Sequence, residues 1–143
     1  MEFTCQGSQK NDLWLVNNSP NFAIFPANLI PSIEADTPIW LKVGSKQFGE
    51  IHIREKHSHW IKKLNKTVPE LVYFKLGQTG NIHCTDIDSR LKINLSIAPS
   101  ALLVLDYMGN ARTPHFSVTT IYQHSGSIDG DNIGRYLGST FQR

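Results

Sequence analysis

The stretch from Gly49 to Leu64, GEIHIREKHSHWIKKL, is the part of the chain around which the fold is organised. Its apolar and aromatic residues recur at intervals of three and four, the spacing that places side chains along one face of an α-helix. His52 and Lys56 are also four residues apart and lie at the edge of this stripe. The pattern predicts a helix with imidazoles and an ammonium group along one rim. The residues on the stripe are Ile53, His57, Trp60, Ile61 and Leu64.

The whole chain has 143 residues, which is the length of a single domain. Its formal net charge of +2 permits an anionic partner without requiring one. No apolar run approaches the length needed to cross a bilayer, so we expect no membrane partner. The two cysteines, Cys5 and Cys84, match no metal or redox motif, and we expect either free thiols or one disulfide between them.

The first 76 residues divide into two parts. Segment 1–40 is rich in Pro and Asn turn signals, which predict an irregular region of short extended or helical pieces. Residues 45–76 are predicted to be helical. A second helix is indicated by Thr67 as N-cap, with Pro69 in the first turn and Glu70 three residues after the cap. The apolar run after Glu70 equally fits a strand.

The second half of the chain has the pattern of a β-sheet. Residues 79–124 predict a β-meander, in which 91–97 alternates as a half-buried strand and 101–107 is apolar enough to be covered on both faces. Residues 125–143 form a tail with turns and one short element. The predicted fold class is therefore α+β, with N-terminal helices packed on a C-terminal antiparallel β-sheet in one domain, 1–143.

The last long strand of the predicted meander also carries polar groups. Side chains alternate between the two faces of a strand, so Thr120, Tyr122 and His124 are expected on one face. If that face meets the helix that carries His52 and His57, hydroxyls and imidazoles share one cleft. Such a site is able to transfer protons and to hold an anion.

Metal-independent cleavage of RNA needs this inventory of groups. One group must take the proton of the ribose 2′-hydroxyl, and another must protonate the leaving 5′-oxygen. Cations or hydrogen-bond donors must stabilise the charge that develops on the phosphorane. Histidine suits the proton transfers because its unperturbed pKa is about 6.5.

Two short motifs resemble the barnase–EndoU–colicin–RelE class of metal-independent ribonucleases. These are His52-Ile53-Arg54-Glu55-Lys56-His57 on the helix and Thr120-Ile121-Tyr122 on the strand. The resemblance is nearest to the phage-associated branch and to the toxin domains of contact-dependent inhibition and other polymorphic toxin systems. It covers roughly residues 48–124.

The resemblance implies an endoribonuclease and a role for each matching residue. His57 would be the principal acid or base, with His52 or Lys56 assisting, and Thr120 and Tyr122 would contact phosphate or sugar. A further cation would come from Lys62, Lys63 or Arg112, and His124 would also contact substrate. The resemblance implies no metal and no cofactor.

The same resemblance implies partners and a place of action. The substrate would be RNA, with transfer RNA the commonest target in such families, and a cognate immunity protein would cover the site. The domain would act in the cytoplasm, in that of a target cell if it is a secreted toxin domain.

Other interpretations stay open. A histidine on an apolar stripe is often a structural residue, and Thr and Tyr are good strand formers. The chain could be a non-catalytic RNA- or protein-binding module on the same scaffold, or an immunity-type partner protein. Metal binding is disfavoured because the histidines lack H-E-x-x-H spacing, and Asp129–Asn132 lacks the closing Glu of a calcium loop.

Overall fold

A computed structural model describes residues 1–30, 33–84, 101–124 and 131–138, together with the backbone of residues 90–95. The predicted turn at 86–89 and most of the predicted tail lie outside these ranges. The elements in chain order are β1 (Phe3–Cys5), β2 (Trp14–Val16), β3 (Ala23–Phe25), β4 (Thr37–Trp40), α1 (Gly49–Lys56), α2 (Ser58–Leu64), α3 (Val68–Leu76), β5 (Gly80–Cys84), β6 (Arg90–Leu95), β7 (Ala101–Met108), β8 (His115–Gln123) and β9 (Asp131–Tyr136).

Seven of the described strands form one sheet in the order β3-β4-β8-β7-β6-β5-β9. Strands β5 to β8 pair antiparallel with their chain neighbours, which confirms the predicted meander. Strand β9, from the predicted tail, pairs antiparallel with β5 at one edge. Strand β4 pairs with β8 in parallel, so the sheet is mixed and not purely antiparallel as predicted. The α+β class is confirmed.

The N-terminal segment is more regular than the sequence predicts. Strands β1 and β2 form a separate two-stranded sheet, while the β3–β4 pair extends the main sheet. The prediction of short extended pieces in segment 1–40 agrees with these strands, whereas their pairing into sheets was not predicted. The strands are only three or four residues long, too short to show a clear alternation. Tertiary packing stabilises them, since Phe22, Phe25 and Ile39 are buried in the common core.

The helix predicted across the opening stretch is broken into two. His57 lies between α1 and α2 with φ −121° and ψ 24°, outside helical geometry. Its N–H still donates to the Ile53 carbonyl, and its own carbonyl accepts from the N–H of Ile61, so the backbone groups stay paired across the break. Helix α2 ends at Leu64, and its C-cap residue Asn65 has the left-handed conformation. The break leaves His57 at a junction of two helices.

The second predicted helix is confirmed as α3, and the strand interpretation of the same residues was wrong. The Thr67 side chain accepts from the Glu70 N–H, and the Glu70 carboxylate accepts from the Thr67 N–H. This reciprocal pair satisfies two backbone donors at the start of the helix. Local chemistry at the cap therefore outweighs the β-propensity of the apolar run that follows.

The core lies on one face of the main sheet, but β7 is covered on both. Ala101, Leu103 and Leu105 belong to the core cluster, and the alternating Leu102 and Val104 are buried as well. This confirms the prediction of a strand covered on both faces. In the described part of the chain, no helix is long and apolar enough to cross a membrane. Cys5 is an exposed free thiol, so the two cysteines of the chain do not pair with each other.

The connection 41–48 between β4 and α1 folds back on the start of the helix and sets where the helix begins. The N–H groups of Glu50 and Ile51 donate to the carbonyls of Lys42 and Val43, both at 3.0 Å. Gly49, the first residue of α1, has φ +80°, and a Cβ there would lie 2.8 Å from the Lys42 carbonyl oxygen. Only glycine combines this backbone angle with so close an approach.

We expect Gly49→Ala to lower the free energy of unfolding by about 2 kcal/mol, because a Cβ at positive φ is strained and collides with the Lys42 carbonyl. The matched control is Gly77→Ala, since Gly77 has φ −81°, which any residue adopts. Urea denaturation followed by circular dichroism measures both. Equal stability of the two variants would contradict this account of the connection.

Candidate functional site

Helix α1 packs against strand β8, so the two segments singled out in the sequence lie side by side. Ile53 is fully buried and fixes the inner face of α1 in the core. At the end of that helix the His57 ring stacks on the Tyr122 ring, with centroids 5.5 Å apart and planes inclined by 24°. An imidazole from the helical part and a phenol from the sheet therefore form one contact.

Two more imidazoles extend this contact into a chain of four rings. The His52 ring stands edge-on to His57, with centroids 6.0 Å apart, and the His124 ring stands edge-on to Tyr122 at the same distance. All four residues are half-buried. We call His52, His57, Tyr122 and His124 the histidine cluster. Its rings are neither enclosed in the core nor fully exposed, as a site that must admit a ligand requires.

The strand pairing shows which face of the sheet carries the cluster. Tyr122 is directly opposite Leu102, and Thr120 is opposite Val104. Directly opposed residues of antiparallel strands point to the same face, so Thr120 and Tyr122 share the face that the core cluster does not occupy. Their common orientation agrees with the predicted alternation.

Thr120 differs from Tyr122 in what its polar atom can reach. Its hydroxyl oxygen is buried and has no hydrogen-bond partner among the residues that the structure describes. It therefore does not face solvent, where a substrate would contact it directly. Of the two predicted hydroxyl residues, Tyr122 is therefore the one that belongs to the histidine cluster.

Hydrogen bonds distinguish the two helix imidazoles. The Nδ1 of His52 lies 2.8 Å from the Lys46 carbonyl oxygen, and because a carbonyl only accepts, Nδ1 must carry the proton. This bond orients the ring and leaves Nε2 for a ligand. The ring nitrogens of His57 and the Tyr122 hydroxyl make no hydrogen bond within the described ranges, so they are not committed to structural contacts.

The charge state of His57 is set by its surroundings. Burial lowers the pKa of His57, and the nearby positive charges of His52 and Lys56 lower it further. The ring is therefore held neutral at pH 7 and is able to accept a proton. A neutral, half-buried imidazole next to cations has the properties of a general base.

The predicted cations are distributed unequally. Lys56 lies one residue before His57, and Lys62 and Lys63 are exposed on α2. Arg112 lies in the turn after β7, beyond the Met108–His115 pair, at the end of the hairpin opposite Tyr122. Seven residue steps separate His115 from Tyr122, which is about 23 Å of strand. The structure thus does not bring Arg112 to the histidine cluster.

A cavity of about 690 Å³ lies away from the histidine cluster, between β1, β2 and the helices. Phe3, Trp14 and Ile61 line it, and the Glu50–Arg54 ion pair lies at its edge. It contains no imidazole, so its size does not make it the better candidate for proton transfer. Within the described residues, no group of three His, Cys, Asp or Glu side chains is arranged to bind a metal ion.

Comparison of the chain with protein-family models, with curated proteins and with solved structures gives no match in any of the three. The geometry of the site and the resemblance of its two short motifs are therefore the features that bear on function.

We expect nuclear magnetic resonance titration to give the His57 ring a pKa below about 6.5, the value for an unperturbed imidazole. Lys56→Gln removes a positive charge one residue away and should raise that pKa toward the unperturbed value. The control Arg135→Gln, on the edge strand β9, should leave it unchanged. An unshifted His57 in all three proteins would contradict the description of its environment.

The same pKa shift predicts a pH dependence of stability. The unfolded chain binds a proton at His57 near pH 6.5, whereas the folded chain binds it only at lower pH. The stabilising contribution is therefore complete above about pH 6.5 and is lost as the pH falls below it. His57→Gln should lose less stability between pH 7.5 and pH 5.5 than the wild type in urea denaturation. An equal loss in both would contradict the prediction.

Proposed function

We propose that this domain is a metal-independent endoribonuclease of the barnase–EndoU–colicin–RelE type. The observation that carries the proposal is the contact between His57 and Tyr122, which joins the two motifs on which the resemblance depends. They are 65 residues apart in the chain, and no local effect brings them together. The α1–β8 packing beside an antiparallel meander also suits this class.

In the proposed reaction, neutral His57 takes the proton from the ribose 2′-hydroxyl. The 2′-oxygen attacks the adjacent phosphorus, a P–O bond forms, and the bond from phosphorus to the 5′-oxygen breaks. Protonated His52, oriented through its Nδ1–H, donates the proton that the leaving 5′-oxygen needs. The products are a 2′,3′-cyclic phosphate and a free 5′-hydroxyl.

Charge stabilisation completes the proposed mechanism. The ammonium of Lys56 and the hydroxyl of Tyr122 are the groups that we assign to the phosphorane oxygens. Lys62 and Lys63 hold the RNA backbone from the exposed side of α2, and His124 contacts the substrate beyond Tyr122. Thr120 contributes by packing under Tyr122, since its hydroxyl oxygen is buried.

The proposal implies a partner and a place of action. Exposed lysines on α1 and α2 form a positive surface beside the site, which an acidic immunity protein would complement. The substrate class, RNA, implies action in the cytoplasm of the cell whose RNA is cut.

We expect purified protein to cleave total RNA in the presence of EDTA. His57→Ala should lower the rate by at least about 100-fold, since positioned general acid–base groups contribute about that much. Tyr122→Phe should give a smaller loss, because it removes one hydroxyl and keeps the ring contact. The matched control is His59→Ala, since His59 is exposed and outside the histidine cluster.

Circular dichroism establishes that each variant is folded. RNA that stays intact but is retained by the protein would instead support the non-catalytic binding module. Cleavage that survives in His57→Ala, or that requires a divalent cation, would contradict the mechanism.

A further inference from the structure

A polar cavity of about 370 Å³ is lined by residues of β7 and β8 and of the segments before β2 and after β4. Its floor is formed by three buried polar residues, Lys42, Ser117 and Thr119, and its rim by exposed polar side chains. Phe48 and Met108 supply apolar wall. We call this the Lys42 pocket. Its full lining is Lys10, Asn11, Lys42, Gln47, Phe48, Asp106, Met108, Ser117 and Thr119.

The charge of Lys42 is the unusual feature of this pocket. The residue is 7% exposed, but its ammonium nitrogen is not among the buried side-chain atoms that lack a hydrogen-bond partner, so the stem is buried and the ammonium stays accessible at the pocket. No carboxylate of the described residues lies within ion-pair distance of this ammonium. Burial of the side chain lowers the pKa of Lys42. A bound anion would supply a charge partner.

The other polar groups in the pocket are arranged to leave donors available. The Thr119 hydroxyl donates to the Asp106 carboxylate at 2.6 Å, so that carboxylate is engaged within the wall. The Ser117 hydroxyl makes no hydrogen bond to any described residue. Lys10 adds a second ammonium at the rim, with the side-chain amides of Asn11 and Gln47 beside it. Two ammonium groups and one carboxylate line the pocket, so the sum of their formal charges is positive, which favours an anionic ligand.

The pocket and the histidine cluster lie on the same face of the sheet. On β7, the alternating residues Leu102, Val104 and Asp106 point one way. Their partners on β8 are Tyr122, Thr120 and Ser117, respectively. Three residue steps separate Thr119 from Tyr122, which is about 10 Å of strand. On the helix side, the carbonyl of Lys46 binds the His52 ring just before the pocket residue Gln47.

We propose that the Lys42 pocket binds the nucleotide next to the scissile phosphodiester, with its phosphate on Lys42 and its base between Phe48 and Met108. This inference depends on the proposed ribonuclease function and names a specificity subsite for it. The volume is near the lower end of the range for small-molecule sites, which suits one nucleotide and not a longer segment. The apolar walls distinguish it from a site for a bare anion.

The test measures binding of the four 2′-deoxynucleoside 5′-monophosphates, and of inorganic phosphate, by isothermal titration calorimetry. These nucleotides cannot be cleaved by 2′-hydroxyl attack. Lys42→Met should weaken the best-bound nucleotide at least about tenfold, because a charge-assisted hydrogen bond is lost. The matched control Arg135→Met removes a cation from the distant edge strand β9 and should change affinity by less than about twofold.

A kinetic arm uses RNA cleavage in EDTA. Lys42→Met should raise KM at least about fivefold and leave kcat nearly unchanged, because the pocket holds substrate away from the reacting atoms. The variant is expected to fold, since methionine is apolar and similar in length to the buried stem of Lys42. A melting temperature at or above that of the wild type would establish this.

Two kinds of failure are distinguishable. Three results would refute the subsite while the ribonuclease proposal stands. Wild-type protein would cleave RNA but bind no nucleotide, or Lys42→Met would bind and cleave as the wild type does. The third is that phosphate binds as tightly as every nucleotide. If RNA stays intact while nucleotide binding depends on Lys42, the ribonuclease proposal fails and the subsite assignment with it.

Discussion

The two hydrogen bonds from the start of α1 to the segment that follows β4 are the constraint on which the rest of the site depends. The N–H groups of Glu50 and Ile51 would otherwise be unpaired donors at a helix N-terminus, and the carbonyls of Lys42 and Val43 satisfy them. Because β4 pairs with β8, this connection holds α1 beside β8. The same connection fixes the Lys42 backbone under the pocket. These two backbone hydrogen bonds thus position both the histidine cluster and the Lys42 pocket.

Strand β8 is the second shared support. Its pairing with β7 skips Thr119, which leaves this residue as a bulge between the Leu105–Val118 and Val104–Thr120 pairs. A bulge increases the local bend and twist of a strand. Here it separates the pocket half of β8 from the cluster half. Apolar residues of the same strand, Val118 and Ile121, remain fully buried in the core. A rigid strand therefore presents two polar sites on one face while its other face holds the domain together.

Several features could be predicted because they depend on local periodicity or local caps. The spacing of the opening stretch placed Ile53 in the core and His57 at its edge, and the pair Thr67 and Glu70 marked the start of α3. The break at His57 could not be predicted, because no glycine, proline or cap side chain marks it. The position of Arg112 could not be predicted either, because it depends on the register of the β7–β8 hairpin. That register places the turn that contains Arg112 at the opposite end of the hairpin from Tyr122.

The sequence by itself determined the α+β class, the meander and the residue types available for proton transfer, since 3.6- and 2-residue periodicities and turn residues act over a few neighbours. Only the tertiary structure decided that His57 stacks on Tyr122 and that Lys42 lies without a carboxylate partner in the described chain. Both depend on the parallel pairing of β4 with β8, which joins segments more than seventy residues apart. Contacts between such distant segments follow from the packing of the whole core, and patterns among a few neighbouring residues do not predict them.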